Sequence, residues 1–187
     1  MKRAFFVLGA QGSGTRMLTR AFISAGCAGS AEHQQPWDAE PFPAGEDDIV
    51  FRRSIPHGGE IVDLWGECDR MLAAGFEVVP IFIRRKSDFL VAHQIRTDRE
   101  HEGVIQAPYV TDPYYAWEHI TGAIEMAYEL CAQKLRRPLI VVPYEDFATE
   151  PKVRDWFFIA LGLSYVSDDY FNANEHPRYC EVKALTW

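Results

Sequence analysis

The chain has 187 residues, 48% apolar and 25% charged, which suffices for one domain with a buried core and excludes a disordered, collagenous or low-complexity chain. With 19 Lys and Arg against 27 Asp and Glu, the formal charge is −8, so most of the surface repels a nucleic acid or an anionic membrane, and a bound anion has to meet a local basic pocket. No run of about 18 apolar residues is present to span a membrane, and the apolar start breaks at Gly9 where an export signal would continue; a cytoplasmic protein is expected, of a single domain over residues 1–187, with an oligomeric state the sequence leaves open.

Short apolar runs alternate with segments of helical period, the pattern of an α/β sandwich whose central, mainly parallel sheet of four or five strands is flanked by helices. The predicted strands are Ala4–Leu8, Ile49–Arg52, Val78–Ile83 and Leu139–Val142, each short, rich in Val, Ile and Phe, and without polar alternation. A first helix opens near Thr15, with Met17, Leu18, Ala21, Phe22 and Ala25 on one face before Gly26. Ile61, Leu64, Trp65, Cys68 and Leu72 mark a second that closes at Gly75, and Ser87 to His93 a short third. Asp112-Pro113 caps a fourth, with Trp117, Ile120, Ile124, Cys131 and Leu135 as its stripe. A fifth runs from Pro151 to Gly162 with Val153, Trp156, Phe157, Ala160 and Leu161 inward. Residues 27–48 and 96–111 read as long loops, each either a substrate-facing lid or simply mobile. Cys27, Cys68, Cys131 and Cys180 show neither a CxxC pair nor metal-ligand spacing, so they read as core residues in a reducing compartment, and no metal is expected.

The sharpest motif is Gly9-Ala10-Gln11-Gly12-Ser13-Gly14-Thr15-Arg16, directly after an apolar strand and directly before an amphipathic helix. Glycines let the backbone curl so that successive N–H groups face one anion, and the helix N-terminus adds its positive dipole end. A glycine turn that merely avoids strain would have the same composition; the flanking strand and helix favour phosphate binding by Gln11, Gly12, Ser13, Gly14 and Thr15, with Arg16 adding charge. The lysine of nucleotide triphosphatase loops is absent, since Thr15-Arg16 stands in its place, which removes a main charge stabiliser of ATP or GTP hydrolysis.

With two later segments, this loop resembles the sulfotransferase family, which transfers a sulfuryl group from 3′-phosphoadenosine 5′-phosphosulfate (PAPS) and releases 3′-phosphoadenosine 5′-phosphate (PAP). Ser13-Gly14-Thr15 is similar to the core of that family's 5′-phosphosulfate loop, Ile81 to Asp88 to its second signature, and Pro143-Tyr144-Glu145-Asp146-Phe147 with Pro151 and Leu161-Gly162-Leu163 to a third segment. The resemblance implies a P-loop three-layer sandwich, PAPS as co-substrate without a metal, a small-molecule or saccharide acceptor, and Arg84 on the 3′-phosphate, with Arg85 pointing the other way. Where relatives carry a basic residue before Ser-Gly-Thr this chain has Gly12, so Arg16 is the candidate to supply the charge; eight residues beyond Arg84, where relatives place a Ser, stands Ala92.

Histidine is the natural base near neutral pH, and His57, just past the second core strand, is the candidate to deprotonate the acceptor. Of Arg52 and Arg53, one is expected to aim at the anion or acceptor and the other at solvent, and Arg53 stands with His57 and Arg16 as a catalytic candidate. His93, Arg96, Arg99 and His101 form either a solvated basic stretch or the face of an anionic acceptor. Two other functions fit the same residues: a P-loop small-molecule kinase with Glu145 or Asp146 holding Mg²⁺, and a nucleotide-binding module that has lost the catalytic basic residue.

Overall fold

The structure is a computed structural model that describes residues 2–32, 48–55, 62–90, 92–93 and 113–164, apart from the side chains of 113–117 and 119–120. Strands β1 (Arg3–Gly9), β2 (Ala28–Gly29), β3 (Ile49–Ser54), β4 (Glu77–Arg84) and β5 (Ile140–Pro143) form one sheet in the order β2-β3-β1-β4-β5. Every pairing is parallel. The strand beyond the four predicted is β2, inside the segment 27–48 expected as loop, where Ala28 and Gly29 pair with Ile49 and Val50. Two residues carry no hydrophobic period, so no pattern announces such a strand.

Two strands outrun their apolar cores. β3 takes in Arg53 and Ser54 because its ladder with β1 continues through Leu8↔Arg53 and Gly9↔Ser54, and β4 reaches Arg84 opposite Pro143 of β5. The backbone ladder ends these strands, and side-chain polarity does not.

Helices α1 (Thr15–Ser24), α2 (Leu64–Ala73), α3 (Pro113–Glu129), α4 (Tyr144–Thr149) and α5 (Pro151–Ala160) flank the sheet, and residues 87–90 and 92–93 are helical as well. α3 runs on into a π-helical stretch, Leu130–Leu135. β1 alternates between two cores. Ala4, Phe6 and Leu8 meet Leu64, Cys68 and Met71 of α2 and Ala123 and Ala127 of α3, whereas Phe5 and Val7 meet Leu18, Ala21 and Phe22 of α1, Phe147 of α4 and Phe158 of α5. A strand covered on both faces has no solvent side, which is why its sequence shows no polar alternation. On the α1 side the aromatic rings organise the packing: Phe22 stacks on Phe5 at 4.6 Å and meets Phe158 edge-on at 5.1 Å. Among the described residues no helix is long and apolar enough to cross a membrane.

Two helices are rotated from the expected stripe. On α5, Trp156 is 72% exposed and Ala160 is exposed, while Phe158 and Arg154 are buried. The cause is a cap: Arg154 Nη1 donates to the carbonyls of Phe147 (2.8 Å) and Ala148 (3.1 Å) in the last turn of α4. On α2, Glu67 and Met71 are buried and Trp65 and Leu72 stand in part outward, because Glu67 serves a buried arginine described below. Counting apolar residues alone misses an inward charge whose partner lies on another element.

The packing distinguishes two large aromatic residues that composition treats alike. Phe22→Ala should cost about 3–5 kcal/mol in urea unfolding, as expected for emptying a buried aromatic site, and Trp156→Ala less than about 1 kcal/mol. Equal costs would contradict the observed rotation of α5.

Candidate functional site

The sheet order dictates where a ligand can sit. β1 hands the chain to α1 on one face, whereas its neighbours β3 and β4 hand it to α2 and toward α3 on the other. Connections that part at adjacent strand ends leave a crevice at the carboxyl edge of the sheet, the usual ligand position in open α/β folds. The loop from Ala10 to Gly14 leaves β1 at this edge.

α1 begins without a cap. Its N-cap is Gly14, in the left-handed region at φ 103° and ψ 15°, with no side chain to accept a hydrogen bond, and its first turn holds no acidic residue. The ladder opens with the Leu18 N–H donating to the Gly14 carbonyl at 3.1 Å. The N–H groups of Thr15, Arg16 and Met17 precede that bond and have no acceptor among the described residues. Such a helix start carries partial positive charge that an anion satisfies. Within the loop the Ser13 N–H donates to Ala10 at 2.9 Å, while Ser13 Oγ is buried and has no hydrogen-bond partner among the described residues. A buried hydroxyl left unpaired is uncommon, and this one packs where a Cβ on Gly9 would stand.

Three side chains from other elements close on the two glycines of the turn. Arg85, buried just past β4, donates from Nη1 to the Gly12 carbonyl at 2.9 Å, and its guanidinium lies 5.0 Å from the centre of the Tyr144 ring. That ring covers Gly14 so closely that a Cβ there would come within 2.8 Å of Tyr144 Cε2. The His93 ring covers Gly12 in the same way, with Nε2 2.9 Å from where a Cβ would stand. Glycine is therefore demanded twice at 12 and 14, by positive φ (87° and 103°) and by space.

The sequence-predicted residues fall into three groups. Gln11, Gly12, Ser13, Gly14 and Thr15 form the loop itself. Arg84 closes β4 and is exposed; it does not join them, but lines a cleft of about 720 Å³ with Phe82, Thr121 and Ile124 on the α3 side of the sheet. Arg85, assigned no role from sequence, is the arginine that touches the loop. It lines the same cleft as Arg84, so the two successive arginines are not separated onto opposite sides of it. His57 lies outside the described residues, as do Arg96, Arg99, His101 and Cys180.

Neither Arg52 nor Arg53 faces solvent, in contrast to the expectation for one of them; they are 5% and 6% exposed. They leave opposite faces of β3. Arg52 donates from Nε to the Ala31 carbonyl (2.7 Å) and from Nη2 to that of Glu32 (3.1 Å), beside α1. Arg53 turns to α2 and pairs with Glu67 at 2.6 Å, both side chains buried. Burial pushes the Glu67 carboxyl up to about 7 against the pull of Arg53. Arg16 lies exposed in the first turn of α1, 3.7 Å from Glu32, which Arg20 also holds at 2.6 Å. The Arg20 hydrogen bond and the Arg16 charge keep the Glu32 carboxyl below its usual range.

Among the described residues the thiols are buried. Burial pushes Cys27 and Cys68 up to about 12 and Cys131 up to about 11, so these stay protonated and unreactive. Among the described residues no group of three or more His, Cys, Asp or Glu side chains is arranged to hold a metal ion.

Gly14→Ala should destabilise by about 1–3 kcal/mol and by more than Gly26→Ala, which shares a positive φ of 97° but has nothing within 4 Å of an added Cβ; equal losses in urea unfolding would remove the Tyr144 contact from the account. Glu67→Ala should cost about 3–5 kcal/mol by stranding a buried guanidinium. For Glu67 the folded carboxyl binds its proton more tightly than the unfolded one. Its contribution is thus greatest below about pH 4.5 and is lost as pH rises through about 7. The stability of wild type relative to Glu67→Gln should accordingly fall across that window, and a flat difference would contradict the raised value.

No protein-family model matches the chain, and no curated protein matches it significantly.

Proposed function

We propose that the chain is a sulfotransferase-like enzyme of the P-loop type. In this reading Gln11 to Thr15 hold the 5′-phosphosulfate of PAPS, and Arg84, in the cleft beside α3, takes the 3′-phosphate. The observation that carries the reading is the uncapped start of α1 after a glycine turn, at the carboxyl edge of the central strand. Three backbone donors there await oxygen acceptors, and an anion with several oxygens is the ligand class that satisfies them together. A net charge of −8 makes the choice of anion a local matter, and Arg16, Arg20, Arg52 and Arg85 cluster around this end of α1 with Glu32 between two of them.

The transfer itself is an in-line displacement. The acceptor oxygen attacks sulfur, the bond from sulfur to the bridging phosphate oxygen breaks, and its electron pair leaves with the phosphate of PAP. The acceptor proton goes to a base, for which His57 is the candidate from sequence. Loop N–H groups lower the barrier by meeting the charge that develops on the departing phosphate. Arg53 enters this scheme as a holder of Glu67 and not as a catalytic group, because its guanidinium is spent on a buried ion pair.

Thermal unfolding separates this reading from a kinase. Adenosine 3′,5′-bisphosphate should raise Tm, since a ligand that binds only the folded state stabilises it, and ATP with Mg²⁺ should do so far less. Arg84→Ala should shrink the gain from the bisphosphate while leaving any gain from adenosine 5′-phosphosulfate unchanged. A larger gain from ATP with Mg²⁺ would favour phosphoryl transfer, and binding without turnover of any hydroxyl acceptor would favour a module that only binds.

A further inference from the structure

Position 12 has no side chain of its own, yet the space beside it is filled. The His93 ring, carried by the helical residues after β4, lies where a residue-12 side chain would start, with Nε2 2.9 Å from the ideal Cβ position and Cδ2 closer still. The Gly12 carbonyl is turned to Arg85, so the peptide is fixed from one direction and the imidazole covers the Cα from another. His93 is half-buried, so the ring is not sealed inside the core.

We propose that His93 is a ligand-contacting residue of the phosphate loop, whose imidazole N–H donates to an oxygen of the phosphate or sulfate ester bound there. The proposal rests on the phosphate-binding reading of residues 11–15 and adds to it a donor from a different element. Gly12 is then explained by chemistry as well as by strain: a flat ring can lie against a Cα only where no Cβ intervenes. Imidazole donates an N–H in its neutral form and two in its cationic form, so it serves an anion in either state. The backbone donors at the start of α1 and the imidazole on Gly12 approach one turn of chain from separate elements, and an anion in that turn gains donors on more than one side. A ring that only packed against the turn would be replaceable by any ring of similar shape.

The test exploits that difference. Adenosine 3′,5′-bisphosphate and inorganic pyrophosphate are titrated by calorimetry into wild type, His93→Ala and His93→Phe, with thermal unfolding used to confirm that each variant is folded. Both variants should bind each probe about tenfold or more weakly, the loss of one hydrogen bond to a charged group. Added imidazole should restore binding to His93→Ala alone. Wild-type affinity in His93→Phe would show that only the ring's bulk matters and would overturn the proposal, as would unchanged binding in His93→Ala. If wild type binds neither probe, the phosphate-loop reading fails and the role of His93 falls with it. Should both variants fail to fold, the imidazole resonances of His93 in wild type decide: a shift on saturation with pyrophosphate is expected, and no shift at saturation overturns the contact.

Discussion

Everything at the candidate site depends on β1 being sealed on both faces. Phe5 and Val7 point to one core and Ala4, Phe6 and Leu8 to the other, with none of the five more than 1% exposed. A strand so placed cannot shift its register by one residue without exchanging two complete sets of buried side chains. Its end at Gly9 is therefore fixed in space, and the Gly9 carbonyl accepts from the Ile55 N–H at 2.9 Å to bind the end of β3 to it. The turn that follows inherits this rigidity, and a rigid turn is what a backbone-based anion site requires, because its donors have to be aimed before the ligand arrives.

The turn is held by neighbours more than by its own residues. Its internal hydrogen bond from Ser13 to Ala10 closes only one corner. Arg85 fixes the Gly12 carbonyl, Tyr144 lies against both Arg85 and Gly14, and Glu145 next to Tyr144 accepts from the Lys86 N–H at 3.0 Å. The ends of β4 and β5 thus brace the loop that leaves β1, and of the two arginines that line the cleft beside α3, Arg85 alone donates to the loop.

The charges at the carboxyl edge divide between the two faces of the sheet. Arg53 and Glu67 neutralise each other inside the α2 side, so their desolvation is offset locally. On the α1 side Arg16 and Arg20 hold the Glu32 carboxylate, and Arg52 donates to the Glu32 backbone carbonyl. A cation such as Arg16 in the first turn of a helix opposes the dipole, and Glu32 relieves that conflict only in part. Among the described residues, arginines thus outnumber carboxylates beside the uncapped helix start, in a protein whose overall charge is negative.

From the sequence alone came the α/β class, the four longer strands, the helices between them and the glycine turn joining β1 to α1, because each is written in local periodicity and in residues with special backbone freedom. What the tertiary structure decided is everything that depends on partners distant in the chain: the two-residue strand β2, the inward turn of Arg154 and Glu67, and the burial of both Arg52 and Arg53. The same holds for the hydrogen bond from Arg85 to the loop, and for the seat of His93 on Gly12, 81 residues away in the chain. A missing side chain at position 12 reads as a deficit in sequence, because no local pattern records which distant residue fills the space. Only the crossing of β1 and β4 in one parallel sheet brings the two together, and with them the donors that make the turn a site.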